Sequence, residues 1–211
     1  MRKSVILLTL WGLCMTNVVI GQTTQYSYNR KYQISIPSKL ELQNSELNSV
    51  VKGREKQINI SSHSNKIVFQ QKGLNADIKS AYSKYCRVII EYYKEDRNEP
   101  AYGRGDQIIV DRDLLYAVHG SVKEACTINK TPPLKFLNIQ PLSINGFPVL
   151  FYSYRRKGWE GKQPPVIVNV YLIFNRYESV TLTFSYREAE RETWKSIHDN
   201  IVKSFTFIHK Y

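Results

Sequence analysis

The sequence has few of the residues from which metal centres and nucleophilic active sites are built. It contains four histidines, three cysteines and two methionines in 211 residues. No two histidines have the i, i+4 spacing with which one face of a helix binds a metal ion. No G-x-S-x-G motif is present, and Gly103-Arg104-Gly105 is not followed by the lysine that a phosphate-binding loop requires. We therefore expect no metal, no cofactor and no catalytic residues.

The sequence also lacks internal repeats, low-complexity tracts and long Gly/Ser linkers, so nothing marks a boundary between domains. Only residues 1–21 differ in character, with a basic start followed by an apolar stretch of roughly 15 residues, which is typical of a signal peptide. This stretch is shorter than the roughly 20 apolar residues of a membrane span. We predict a signal peptide at 1–21 and one domain at 22–211, exported to a periplasmic or extracellular location. The alternative is an uncleaved membrane anchor.

Acidic residues are scarce relative to basic ones. The chain has 30 Lys and Arg residues against 18 Asp and Glu residues, a net charge of +12. Residues 1–21 contain Arg2 and Lys3 and no acidic residue, so cleavage leaves 28 basic and 18 acidic residues, a net charge of +10. Such a charge attracts acidic polymers and anionic lipid surfaces. In an exported protein we expect envelope components and no nucleic acid; the alternative is that the charge only maintains solubility.

Two cysteines remain after removal of the predicted signal peptide. Cys14 leaves with that peptide, and Cys86 and Cys126 stay in the mature chain. Export to an oxidising compartment favours a disulfide between them. The alternative is two separate buried thiols, because sequence alone does not show that the two Cα atoms lie within bonding distance.

Alternating polar and apolar residues predict β-strands in the first half of the mature chain. The predicted strands are Tyr26 to Ile36, a segment from Val50 that includes Ile58 and Ile60, residues 66–72 before Gly73, and Cys86 to Glu95. The last of these is apolar on both faces, which is typical of a central strand. A helix capped by Asp111 follows, and the spacing of Val118, Val122 and Ala125 indicates the face that packs on the sheet.

The second half predicts an antiparallel meander, a helix and a last strand. The predicted strands are Val149 to Arg155 after the Asn145-Gly146 turn, Val166 to Phe174, and Val180 to Arg187. From Glu188 to Val202, the spacing of Trp194, Ile197 and Ile201 predicts a helix that covers the sheet, with His198 on its solvent face. Alternation at Phe205 and Phe207 predicts the final strand.

Several of these segments carry a family resemblance. The chain contains YQISIP early, FPVLFYSYRRKG followed by VIVNVYLIFN, then VTLTFSYREAERETW, and IVKSFTF near its end. In order and character these segments resemble the PsbP-like family of exported domains. The resemblance implies an α+β fold in which an antiparallel β-sheet is flanked by helices, an α/β/α sandwich. It also implies a binding or assembly module, since members include extrinsic subunits of photosynthetic complexes and a GTPase-binding relative. The family has no shared catalytic site whose residues could be assigned here.

One surface segment, YRRKGWEGKQPP, combines cations with an indole in a Gly/Pro-bounded connection. Its candidate binding residues are Arg155, Arg156, Lys157, Trp159 and Lys162. Cations attract phosphate, sulfate or carboxylate, and an exposed indole stacks on a ligand or fills a partner's pocket. The alternative is a charged hairpin tip with Trp159 folded over apolar neighbours. We predict a monomeric, exported, non-catalytic binding or accessory module for an unknown protein or envelope component. The alternative function is direct binding of an anionic glycan or lipid head groups through this hairpin.

Overall fold

The computed structural model describes residues 23–43, 65–77, 80, 83–94, 101–158 and 161–209. The predicted signal peptide, the strand predicted around Ile58 and Ile60, and Trp159 lie outside these residues. The described residues form a mixed α+β structure with two antiparallel sheets.

The smaller sheet has three strands in the order β1-β2-β10. Strands β1 (Thr23–Tyr28) and β2 (Tyr32–Pro37) form a hairpin, and β10 (Thr206–Phe207) pairs with the other edge of β2. The single strand predicted from Tyr26 to Ile36 was therefore wrong. Asn29 and Arg30 reverse the chain with positive φ angles of 42° and 55°, a conformation that Asn tolerates better than most residues.

The larger sheet has seven strands, and all of its pairs are antiparallel. In chain order the strands are β3 (Leu40–Leu42), β4 (Asn65–Gln71), β5 (Cys86–Lys94), β6 (Pro133–Ile144), β7 (Phe147–Arg156), β8 (Val166–Asn175) and β9 (Glu178–Arg187). The order in space is β3-β4-β5-β9-β8-β7-β6, which confirms the central position of β5 and the β7-β8-β9 meander. Strand β6 was not predicted. It lies at the edge of the sheet, is exposed along most of its length, and contains two prolines, so it lacks the alternation of a half-buried strand.

Two α-helices lie near the positions predicted for them. Helix α1 (Arg112–Ile128) begins after Asp111, whose Oδ1 accepts a hydrogen bond of 2.8 Å from the Leu114 N–H. Its buried residues are Val118, Val122 and Cys126; the prediction of Ala125 was one position early, and Ala125 is exposed. Helix α2 (Arg191–Ser204) follows a single 3₁₀ turn at Glu188–Glu190.

His198 of α2 is buried, so its predicted place on the solvent face was wrong. Its side chain is 2% exposed, and its ring centroid lies 4.4 Å from that of Phe184. The reason is its position four residues after Trp194 and three before Ile201, which puts it on the same helix face as these two core residues. Burial lowers the pKa of His198 to about 3, so the imidazole is neutral at physiological pH.

The two helices pack on opposite faces of the seven-stranded sheet, as the alternation of β8 shows. Its residues Ile167, Tyr171 and Ile173 share a core with α2 and the three-stranded sheet. Its even-numbered residues from Val166 to Val170 pack with α1. Cys86 lies in the first core and Cys126 in the second, and both are free thiols. The predicted disulfide is therefore wrong, because the sheet separates the two side chains.

Candidate functional site

An open cleft of about 630 Å³ lies between the second half of α1 and the beginning of β6. Its position follows from β6, whose pairing with β7 shifts register between Pro133 and Lys135 and again between Phe136 and Asn138. Such bulges bend a strand away from its partner. The cleft is lined by His119, Lys123, Cys126, Thr127, Lys130, Pro132, Pro133, Leu134, Lys135 and Phe136.

The floor of the cleft is apolar and tightly packed. The Phe136 ring stacks on His119 with centroids 3.8 Å apart, and its other neighbour Tyr154 lies at 6.1 Å. Cys126 is 2% exposed, and burial raises the pKa of its thiol. A thiol with a raised pKa stays protonated at neutral pH, so Cys126 acts here as an apolar side chain and not as a nucleophile.

Three lysines give the cleft its charge. Lys123 and Lys130 come from α1 and the turn after it, and Lys135 comes from β6. None of the three forms an ion pair with an acidic group in the described part of the chain. The sequence from 117 to 162, which contains the cleft and the predicted hairpin, has seven Lys or Arg residues and two Glu residues, a net charge of +5.

The predicted basic hairpin begins beside this cleft. The Lys157 N–H donates a hydrogen bond of 2.9 Å to the Pro132 carbonyl, and Arg156 pairs with Pro133 across β7 and β6. Gly158 closes the base of the hairpin with an N–H that donates to the Gln163 carbonyl at 3.2 Å. A Cβ at this position would lie 2.3 Å from Cβ of Gln163, so the close approach of the two segments requires glycine.

The candidate binding residues of the hairpin do not share one surface. Successive residues of a strand point to opposite faces of a sheet, so Arg155 and Arg156 diverge. Arg155 lies on the α2 side, where its Nη2 is 2.7 Å from Oε2 of Glu188. Arg156 lies on the α1 side, and its charge acts on the buried Cys126 thiol. Lys157 and Lys162 are exposed, and a binding role for the hairpin residues stays a prediction.

Sequence reasoning missed the cleft, although a signal was present. Lys123 and Thr127 are four residues apart on one flank of α1, and Lys130 follows in the turn after the helix. The Pro132-Pro133 pair that follows ends the helix and returns the chain alongside that flank. The spacing of Lys123 and Thr127 was overlooked because Lys and Thr are common on exposed helix faces.

A thiol and an imidazole also meet in the other core. Sγ of Cys86 lies 3.5 Å from Nε2 of His198, and the two side chains are 0% and 2% exposed. Burial raises the pKa of Cys86 well above its usual value, so both groups are neutral and neither reaches solvent. This pair is a packing contact of the core.

Among the residues that the structure describes, a metal site and a membrane-spanning helix are both absent. No three His, Cys, Asp or Glu side chains there lie close enough together to hold a metal ion. No helix in the same residues has both the length and the apolar character needed to cross a membrane.

Comparison with known proteins identifies the fold. The solution structure of cyanobacterial PsbP (CyanoP) from Synechocystis sp. PCC 6803 matches with a TM-score of 0.53 over 92% of this chain and 96% of that chain, at 17% identity. LpqN, involved in cell envelope biogenesis of Mycobacterium tuberculosis, matches with a TM-score of 0.49 over 88% of this chain and 90% of that chain, at 13% identity. The chain matches no protein-family model and no curated protein. The fold is PsbP-like, which confirms the resemblance expected from the sequence.

Proposed function

We propose that this chain is an exported, non-catalytic binding module that holds a protein or envelope component. The single observation that carries the proposal is the cleft between α1 and β6, which offers three lysines above an apolar floor. Its one thiol has a pKa raised by burial, so the cleft supplies groups for binding and none activated for nucleophilic attack.

The fold supports the same proposal. In PsbP-like proteins an antiparallel sheet flanked by helices serves as a scaffold, and the packing of α1 and α2 on opposite faces fits that α/β/α sandwich. We propose that residues 22–211 form one such domain, released after cleavage behind Gly21. The mass of the secreted protein tests this point, because it should correspond to a chain that begins at Gln22.

Site-specific photo-crosslinking in the producing cell tests the binding function. A crosslinking residue at position 157, whose N–H bonds the cleft-lining Pro132, should give a discrete adduct, while one at the exposed position 39 should not. The adduct at 157 should disappear when Lys123, Lys130 and Lys135 are replaced by glutamine. Equal labelling at 157 and 39, or an adduct that survives these replacements, would contradict the proposal.

A second candidate function is direct binding of an anionic glycan or lipid head group by the hairpin. The backbone hydrogen bond from the Lys157 N–H to the Pro132 carbonyl favours this second function, because it places the cations of the hairpin next to those of the cleft. Polyanion binding weakens steeply as salt rises, whereas an apolar protein interface is much less sensitive.

Matched variants sharpen this test. The double substitution Arg156→Gln with Lys157→Gln should weaken binding to anionic vesicles by about tenfold and reduce its salt dependence. Arg155→Gln is the control, because the Arg155 guanidinium already forms an ion pair with Glu188 on the other face of the sheet. Equal losses in the two proteins, or no loss in either, would remove the support for this function.

A further inference from the structure

We infer that the cleft between α1 and β6 binds a single-chain anionic amphiphile, with its head on the lysines and its alkyl chain on the apolar floor. The inference rests on the second candidate function, because it extends anionic-ligand binding from the hairpin to the adjoining cleft and names the ligand class. It follows from three features of the cleft: lysines without an ion-pair partner among the described residues, an apolar floor, and two lining rings that stack on each other.

The charge selects the head group. Lys123, Lys130 and Lys135 line one cleft, and no described acidic residue neutralises them. Arg156 adds a fourth cation on the same side of the sheet, within electrostatic reach of Cys126 at the cleft floor. Several ammonium groups around one cleft favour an anionic head group such as phosphate or carboxylate.

The apolar floor selects an alkyl chain. Leu134 is 40% exposed and lies beside Pro132, Pro133 and Phe136. A fully hydrophilic polyanion would leave this surface uncovered or press its own hydroxyl groups against it, at the cost of their hydration. An alkyl chain covers the same surface and gains affinity with each methylene that it removes from water.

The stacking of Phe136 on His119 disfavours a sugar or a nucleobase as the ligand. Carbohydrates and nucleobases bind aromatic side chains by stacking on a free ring face. Here the ring of Phe136 is already stacked on His119 at 3.8 Å. His119 is the other lining ring and belongs to the same stack, so the rest of the floor, formed by Leu134 and the two prolines, favours aliphatic contact.

The cleft has the dimensions for part of such a molecule. A volume of about 630 Å³ falls in the range of roughly 300–1,000 Å³ typical of small-molecule sites. The cleft is open to solvent, so it holds a head group and the adjacent methylenes and leaves the end of a long chain outside.

Calorimetric titration of the mature protein with monomeric dodecyl phosphate tests the inference. The controls are inorganic phosphate, which has the head and no chain, and dodecyl maltoside, which has the chain and no charge. We expect dodecyl phosphate to bind at least tenfold more tightly than either control. Equal affinity for inorganic phosphate would overturn the inference in favour of a simple anion site, and equal affinity for the maltoside would overturn the role of the lysines.

Two pairs of variants locate the binding. Replacing Lys123, Lys130 and Lys135 by glutamine should weaken dodecyl phosphate binding by at least tenfold. The control triple replacement at Lys39, Lys84 and Lys195 removes the same charge from exposed positions outside the cleft and should leave binding within about twofold. Equal losses in the two triple variants would mean that only net charge matters, which contradicts the inference.

The second pair tests the alkyl contact on one strand. Leu134→Ser should weaken binding by about three- to fivefold, corresponding to the loss of a few methylene contacts. Leu142→Ser is the control, because Leu142 is 37% exposed on β6 but does not line the cleft. The same loss in both, or in neither, would contradict the assigned alkyl position.

The failure of this inference and the failure of the second candidate function give different results. If dodecyl phosphate does not bind but anionic vesicles still bind through Arg156 and Lys157, only the inferred ligand is wrong. If neither the amphiphile nor the vesicles bind, the anionic-binding function is wrong as well.

Discussion

Helix α2 covers its side of the seven-stranded sheet, whereas helix α1 leaves part of the other side open. Four residues of α2 are buried, at positions 194, 198, 201 and 202, and they share one core with the three-stranded sheet. Three residues of α1 are buried, and its flank from His119 to Thr127 faces the cleft. The same kind of element thus closes a core on one face of the sheet and borders an open cleft on the other.

The difference follows from what lies next to each helix. The neighbours of α2 are the central strand β9 and the hairpin of β1 and β2, which closes over the sheet. The neighbour of α1 is the edge strand β6, whose two bulges carry it away from regular pairing. Apolar residues on the α2 side are enclosed, and those on the β6 side, such as Leu134 and Leu137, remain partly exposed.

The largest expected effect is the loss of stability when the enclosed side is opened. Trp194→Ala should lower the free energy of unfolding by about 3–5 kcal/mol, because it leaves a cavity in a core that cannot collapse to fill it. Leu134→Ala, on the open side, should change it by about 0.5 kcal/mol. Denaturant unfolding of both variants measures the difference, and similar losses would mean that the two sides are equally packed.

The ion pair that fastens the three-stranded sheet gives the next effect. Nζ of Lys31 lies 2.7 Å from Oε1 of Glu178, whose side chain is 4% exposed and also accepts a hydrogen bond of 3.0 Å from the Tyr92 hydroxyl. Lys31→Met should cost about 2–3 kcal/mol at neutral pH, less than for a fully buried pair because Lys31 is 35% exposed. Adding Glu178→Gln should recover part of that loss in thermal or denaturant unfolding. A Lys31→Met protein with the free energy of unfolding of the wild type would show that the ion pair does not stabilise the fold.

Acid should weaken the α2 side through His198. Its pKa is about 3 in the folded protein against 6.5 ordinarily, so the unfolded state takes up a proton below pH 6.5 that the folded state refuses. Stability therefore falls as pH drops, by about 1 kcal/mol between pH 6 and pH 5 from this group alone.

A matched pair of variants isolates this contribution. His198→Phe should remove it from the slope of unfolding free energy against pH. Ser196→Ala, at an exposed position of the same helix, removes no titratable group and should leave the wild-type slope unchanged. A slope that is the same in all three proteins would contradict the burial of a neutral His198.

The smallest effect is a difference in thiol reactivity. Cys126 lines the cleft, whereas Cys86 lies inside the α2 core with 0% exposure. Iodoacetamide should therefore modify Cys126 before Cys86 in the folded protein, and both after unfolding without reductant. Mass spectrometry follows the two positions; simultaneous modification would contradict the comparison, and failure to modify either after unfolding would indicate a disulfide.

Sequence patterns predicted the fold where an element is well buried. The meander of β7, β8 and β9 was correct because its strands are rich in β-branched and aromatic residues, and Trp194 and Ile201 were correct because helical spacing reports a buried helix face. Strand β6 was missed because both of its faces are largely exposed. His198 was misplaced because a polar residue type outweighed a position on the core face of the helix.

The candidate site was only partly predictable for a related reason. The basic hairpin was visible in the sequence as a run of cations. Because side chains alternate along a strand, however, Arg155 pairs with Glu188 on one face of the sheet and Arg156 lies on the α1 side. The cleft needs Lys123 and Lys135 from two elements, and their proximity depends on the edge pairing of a strand that the sequence did not reveal. The predicted disulfide between Cys86 and Cys126 was wrong for a similar reason, because the sequence does not show on which side of the sheet α1 packs.

The most direct test of the contrast between the two helices is an NMR titration of the mature protein with dodecyl phosphate. Amide shifts should change at residues 119–136, which contain the cleft-lining part of α1 and the start of β6. They should stay constant in α2, at residues 191–204, where the helix face is enclosed. Shift changes centred on α2, or none at 119–136 at saturating ligand, would contradict the account.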